Sequence, residues 1–344
     1  MRLSRAGILI VILSIILVGT NCSFYNRLIV RRNLVDGAKA YKDRKFSEAE
    51  SFFRKAVGID PDATTEEGKT ARLFLARTLH SQYAGNRSAP DAKARAEEAI
   101  KLYRLVISGD INDQSSYNAV GNLYETLGGQ FSDEREKWMQ EWEKWVTERA
   151  ENANVDAKYR ADAYASLASK QYTCANEISD VDSVKKTVKK DGKDVYQFVK
   201  PANTADYDKF KQCVEKGLDL ADKAVNLEND DAKNAKNVEI KPLSAADMAK
   251  LGETVRIWAK VWSYKASMMN QSSRLAEMDG READKDSFKA KSEEARAKFL
   301  EYSQIEKKID AEKEERTQAA EAAKANNANN ANNANSANTA NTEK

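Results

Sequence analysis

One histidine, His80, and three cysteines, Cys22, Cys174 and Cys213, are all the imidazole and thiol that this 344-residue chain brings to chemistry. A four-cysteine zinc site or a His-rich metal site cannot be assembled from that inventory, so no metal and no cofactor are expected. The chain also has no Gly-rich phosphate loop, no GxSxG, no HExxH and no CxxC. Carboxylates are plentiful, but they fall in strongly charged helical patterns that read as solvated faces, and no pair stands out as an acid–base couple. We therefore expect no enzyme. What the polar residues offer is hydrogen bonding and charge. Asn118 and Asn122 lie one helical turn apart, and side-chain amides carry both donors and an acceptor, which suits a peptide backbone. Lys185, Lys186, Lys189, Lys190 and Lys193 crowd around Asp191-Gly192, where anionic headgroups or an acidic partner are the candidate ligands and simple protection of a strand edge is the alternative.

The use of the cysteines depends on where the chain resides. Met1 to Cys22 opens with Arg2 and Arg5, continues as an uncharged run from Ala6 to Gly19, and ends in small or polar residues. That order is the one found in secretory signals. The segment resembles a lipoprotein signal, with Cys22 at the place of cleavage and lipid attachment, although Asn21 stands where Gly, Ala or Ser is usual. An uncleaved anchor from Ala6 to Tyr25, or ordinary cleavage, are the other readings; Arg27, Arg31 and Arg32 follow it closely and weaken its positive-inside preference. The expectation is an exported, membrane-attached protein, on the periplasmic face of a bacterial envelope. With Cys22 set aside, Cys174 and Cys213 form an even pair in an oxidising compartment and are a disulfide candidate; two buried free thiols are the other reading.

The elements that must position these residues are helices. The chain is 41% hydrophobic and 32% charged with only 14 Gly and 4 Pro, too few for a turn-rich β protein. Net charge is +2, so the basic excess of a nucleic-acid binder is missing. From Asn33 to Pro61 the sequence NLVDGAKAYKDRKFSEAESFFRKAVGIDP describes two short helices joined by DRKFS. Gly37 and Ala49 are small where the helices cross, Phe53 fills the space beside the crossing, Ala56 makes room for a neighbour, and Pro61 stops the second helix. Tyr117, Val120, Gly121 and Tyr124 repeat the pattern, followed by Trp138, Trp142 and Trp145 at spacings of four and three, either inter-repeat packing or an aromatic platform. Arg72 to Val106 is a stretched version with Pro90 in its turn, Tyr159 to Cys174 and Tyr207 to Leu227 make another, and Ser244, a candidate N-cap, opens the last.

These residues resemble tetratricopeptide (TPR) repeats over roughly 33–318, with a degenerate motif. The resemblance implies an all-α solenoid of about five helical hairpins. Its first helices would line a groove for an extended peptide or a partner's helix, at Tyr41, Arg77, His80, Asn118, Asn122, Glu125, Ser169 and Tyr172. Into this scaffold 178–205 inserts a small β-hairpin, signalled by Asp191-Gly192 between segments rich in Val, Tyr and Phe. The expected layout is signal or anchor over 1–22, tether over 23–32, repeats over 33–318, and a disordered Ala/Asn-rich tail over 319–344. Envelope TPR lipoproteins that assist the assembly of outer-membrane barrels or pili are similar in plan. The function expected is a scaffold holding a protein or peptide partner in the envelope, with no nucleic acid and no small-molecule substrate. The alternative is a structural envelope protein that binds wall or lipid through its tail and Lys-rich hairpin.

Overall fold

Alternation of small and aromatic residues at helical spacing builds antiparallel helix pairs throughout. The computed structural model describes residues 25–340, with side chains described to residue 324. The signal segment and Cys22 lie outside the described residues. The helices are α1 (25–42), α2 (Phe46–Ile59), α3 (Glu66–Gly85), α4 (Ala92–Gly109), α5 (Gln114–Gln130), α6 (Arg135–Glu151), α7 (Ala157–Ser179), α8 (Thr204–Val225), the short α9 (Asp230–Asn234), α10 (Ala245–Met278) and α11 (Glu282–Ala340). Apart from α9, they pair in chain order as helical hairpins, and the fold is all-α and TPR-like as the residue pattern predicts. The chain divides after Trp145 into two compact bodies.

Local chemistry explains the helix ends. The side chains of Thr65, Asp113, Asn203 and Ser244 each accept a backbone N–H in the first turn of α3, α5, α8 and α10, filling orphan donors that would otherwise face no partner. Gly280 takes φ 69° between α10 and α11, the left-handed geometry in which glycine carries no Cβ penalty.

In the first body the crossing of α1 and α2 follows the expected pattern. Ala49, Phe53 and Ala56 are fully buried, and a Cβ placed on Gly37 would lie 2.6–2.9 Å from three carbons of the Phe53 ring. Gly37→Ala should therefore destabilise this body by about 1–3 kcal/mol through overpacking. Urea unfolding checks it: the midpoint falls while the denaturant slope stays unchanged.

Two expectations about layout differ from the structure. The stretch 23–32 is helical from residue 25 onward, because Val30 packs with Ala56 and Ala71, backed by Leu34. The first hairpin therefore draws in residues expected to be a tether. At the other end α11 runs to Ala340 and takes in most of the Ala/Asn-rich segment for which the composition implies disorder. Alanine's high intrinsic helix propensity favours that conformation.

In the second body α7, α8, α10 and α11 pack around buried Phe210, Val214, Trp258, Met268 and Ile309. Lysines tie the helices together: Lys158 reaches Glu253 at 2.6 Å, Lys260 reaches Asp162 at 2.7 Å, and the buried Lys265 pairs with Asp222. The insertion is β1 (Lys185–Lys190) and β2 (Lys193–Phe198), an antiparallel pair with Val188 opposite Val195 and Lys190 opposite Lys193. Asp191 and Gly192 take φ 51° and 77°, the positive pair that a two-residue hairpin turn requires. Val184 and Phe198 sew the hairpin onto a core of Ala175, Phe210, Val214 and Leu275. Cys174 on α7 and Cys213 on α8 are joined as a disulfide beside this cluster.

Candidate functional site

In the first body the first helices of successive hairpins are tied side to side. Arg27 and Tyr41 on α1 reach Glu67 and Ser81 on α3, at 3.2 Å each. On α3, Tyr83 donates to Gln130 Oε1 of α5 at 2.9 Å, and His80 hydrogen-bonds Asn122. The second helices are joined in the same way, with Arg54 of α2 bidentate to Glu98 of α4 at 2.7 Å. The partners in the α1–α3 and α2–α4 ties are 40 to 44 residues apart. A TPR unit has a period of about 34, and the longer α2–α4 interval includes the turn containing Pro90.

The resulting surface carries six of the expected groove residues. Asn118, Asn122 and Glu125 are exposed on α5, while Tyr41, Arg77 and His80 are half-buried on α1 and α3. Tyr41 is held edge-on between Phe46 and Phe74, and Arg77 lies over the Phe74 ring. Asn118 accepts from Gln114 Nε2 at 3.2 Å. Burial lowers the pKa of His80, the Asn122 hydrogen bond opposes this, and the Arg87 charge adds to the lowering. The imidazole is therefore a neutral hydrogen-bonding group at neutral pH rather than a charge. At the end of this face Arg87, Glu125, Thr126, Gly129 and Gln130 line a cavity of about 520 Å³, and Gln130 donates to the Arg87 carbonyl at 2.5 Å. The other two expected groove residues, Ser169 and Tyr172, lie half-buried on α7 of the second body.

The tryptophan stripe belongs to packing. Trp138, Trp142 and Trp145 are buried, Trp145 stacks on Tyr117 at 5.3 Å and donates to the Tyr117 carbonyl, and Trp138 stacks on Tyr124. Gly121 leaves room for Trp142, whose indole nitrogen would lie 3.7 Å from an added Cβ.

Of the hairpin lysines, Lys185 reaches Asp180 at 2.7 Å and Lys186 donates to the Asp182 carbonyl, whereas Lys189, Lys190 and Lys193 are exposed. Residues that sequence reasoning passes over are Gln130 and Arg87, which shape the cavity, and Arg274, stacked on Phe198. Their side chains carry no periodic signal; only the packing of α3 on α5 and of α10 on the hairpin brings them in.

Among the described residues, no helix is long and apolar enough to cross a membrane. Comparison with protein-family models and with curated proteins gives no match. A search of solved structures finds similarity to one described as "Functional Characterization of Pseudomonas Aeruginosa pilF", at 12% identity, with 82% of this chain and 99% of that chain covered and a TM-score of 0.27.

Proposed function

We propose that this protein is an exported, membrane-attached scaffold that holds a protein partner in the cell envelope, with the first-helix face of the first body as its peptide site. The observation that carries the reading is the side-by-side tie of α1, α3 and α5, which sets exposed Asn118, Asn122 and Glu125 next to a cavity of about 520 Å³. Amides on a rigid helical face satisfy the backbone donors and acceptors of an extended chain at little ordering cost. Export rests on the amino-terminal sequence, two arginines and an uncharged run ending at Cys22, and the joined Cys174 and Cys213 suit an oxidising compartment.

The test is a pull-down from solubilised envelope with the intact protein and an Asn118→Ala, Asn122→Ala variant, with circular dichroism as a control for folding. A partner retained by the intact chain and lost by the variant supports the scaffold reading. Recovery of the same set by both proteins removes the first-helix face from consideration.

A further inference from the structure

The second body has a cleft that the scaffold reading leaves unused. It lies between the β-hairpin and helices α10 and α11, with a volume of about 990 Å³. Its hairpin side presents Val188, Val195, Tyr196 and Phe198, and its helical side includes Asn270, Ser273 and Lys289. Tyr196 is 61% exposed, although Lys185 lies over its ring at 4.2 Å. An exposed aromatic beside exposed Val195, in a concave setting, is the composition of an interaction site rather than of a solvated turn.

Charge decides the kind of occupant. Six cations and three carboxylates line the cleft, in a chain whose overall net charge is +2. Two of the three carboxylates, Glu277 and Glu282, are engaged by Lys285. Arg274 is taken up by Ser179 and the Phe198 ring, and Lys185 by Asp180. That leaves Lys189, Lys190 and Lys289 facing the single carboxylate of Asp286. The field in the cleft favours an anion.

The backbone decides its shape. The Val199 N–H donates to the Val184 carbonyl at 2.9 Å, so this pair is hydrogen-bonded. In an antiparallel ladder bonded pairs alternate, which makes Lys186–Gln197, Val188–Val195 and Lys190–Lys193 bonded as well. Tyr196 and Phe198, which line the cleft, therefore turn their backbone N–H and C=O away from β1, and the sheet contains only these two strands. A planar lipid surface cannot enter a cleft walled on its far side by two helices. An extended chain can, and it can add to a strand edge as it does so.

We propose that the cleft binds an extended acidic peptide segment of a partner protein, which adds as a third strand along the β2 edge, sets the apolar side chains of one face beside Val195, and presents its carboxylates to the cleft cations Lys189, Lys190 and Lys289. This surface belongs to the second body, so its occupancy is independent of Asn118 and Asn122.

Fluorescence anisotropy tests this on the full chain with a labelled octapeptide of alternating Glu and Val. Binding should saturate and weaken as salt is raised, because exposed ion pairs are screened. A Lys189→Glu, Lys190→Glu, Lys289→Glu variant should lose about tenfold or more in affinity. All three positions are exposed, so folding is retained, and circular dichroism confirms it. The same peptide N-methylated at alternate amides should not bind, since it cannot complete a ladder. No binding of the Glu/Val peptide, unchanged affinity in the variant, or equal binding of the N-methylated peptide would overturn the proposal. So would capture by phosphatidylglycerol vesicles without capture of the peptide, which would make the lysines a membrane contact.

Discussion

Replacing both Cys174 and Cys213 with Ser should cost the second body about 4 kcal/mol. The disulfide joins α7 to α8 across a sequence separation of 39 residues. Closing a loop of that length removes conformational entropy from the unfolded chain, which in the chain-entropy account stabilises the folded state by about 4 kcal/mol. The loop contains the whole hairpin insertion, so the bond also limits how far β1 and β2 drift from the core of Ala175, Phe210 and Val214 when that core loosens. Cys213 is buried and Cys174 packs against the same cluster, so serine at either place also brings a hydroxyl to an apolar surrounding. Guanidinium unfolding of the intact chain with and without reductant is the measurement. Two transitions are expected, one for each body, with only the second body's midpoint falling on reduction or in the double-serine variant. A midpoint indifferent to reductant would show that the bond contributes nothing to stability.

Asp60→Ala should lower the stability of the first body by about 2–4 kcal/mol, and Asp60 should give that body a dependence on acid pH. Asp60 sits at the end of α2, just before Pro61, and is largely buried, 8% exposed. Its carboxylate accepts four hydrogen bonds, from the backbone N–H and hydroxyl of Thr64 at 2.8 and 2.9 Å and from those of Thr65 at 3.0 and 2.7 Å. Thr65 in turn caps α3 by accepting from the Gly68 N–H at 2.9 Å, so one carboxylate organises the joint between the first two hairpins. Gly68 belongs to the same joint, because a Cβ there would fall 2.0 Å from Asp60 Oδ2.

Burial pushes the Asp60 pKa up, but the hydrogen bonds from Thr64 and Thr65 outweigh it and bring the group down to about 2. A carboxylate with a folded pKa below its unfolded value of about 3.9 stabilises the fold above that pH. The contribution is lost as the pH falls from about 4 toward 2. Thermal melts of the intact protein and of Asp60→Asn across that window check the sign. The difference between the two should be largest near neutrality and shrink on acidification. A constant difference would mean that the Asp60 charge does not act through these hydrogen bonds.

Much of the architecture was legible because the sequence states it locally. Gly37 with Phe53, and Tyr117, Val120, Gly121 and Tyr124 with the tryptophan stripe, mark helix crossings by residue size, and the structure packs them that way. Asp191-Gly192 announces its turn because few other dipeptides adopt two positive φ angles in succession. Ser244 announces α10 because a short hydroxyl side chain at that place satisfies an orphan N–H. Such signals involve residues within a turn or two of each other and need no fold to be read.

The remainder depends on which helices meet. Nothing near His80 in the chain indicates that Asn122 will bond it, and Lys265 reads as one more surface lysine until α8 brings Asp222 against it. Val30 looks like tether until Ala56 and Ala71 close over it, which is why the first helix begins earlier than its repeat motif. The separation has a physical reason. Residue size, φ preference and capping are properties of a short segment and are written in the order of residues. Ion pairs, clefts and buried polar groups join segments 30 to 100 residues apart, and only packing free energy selects which partners those are.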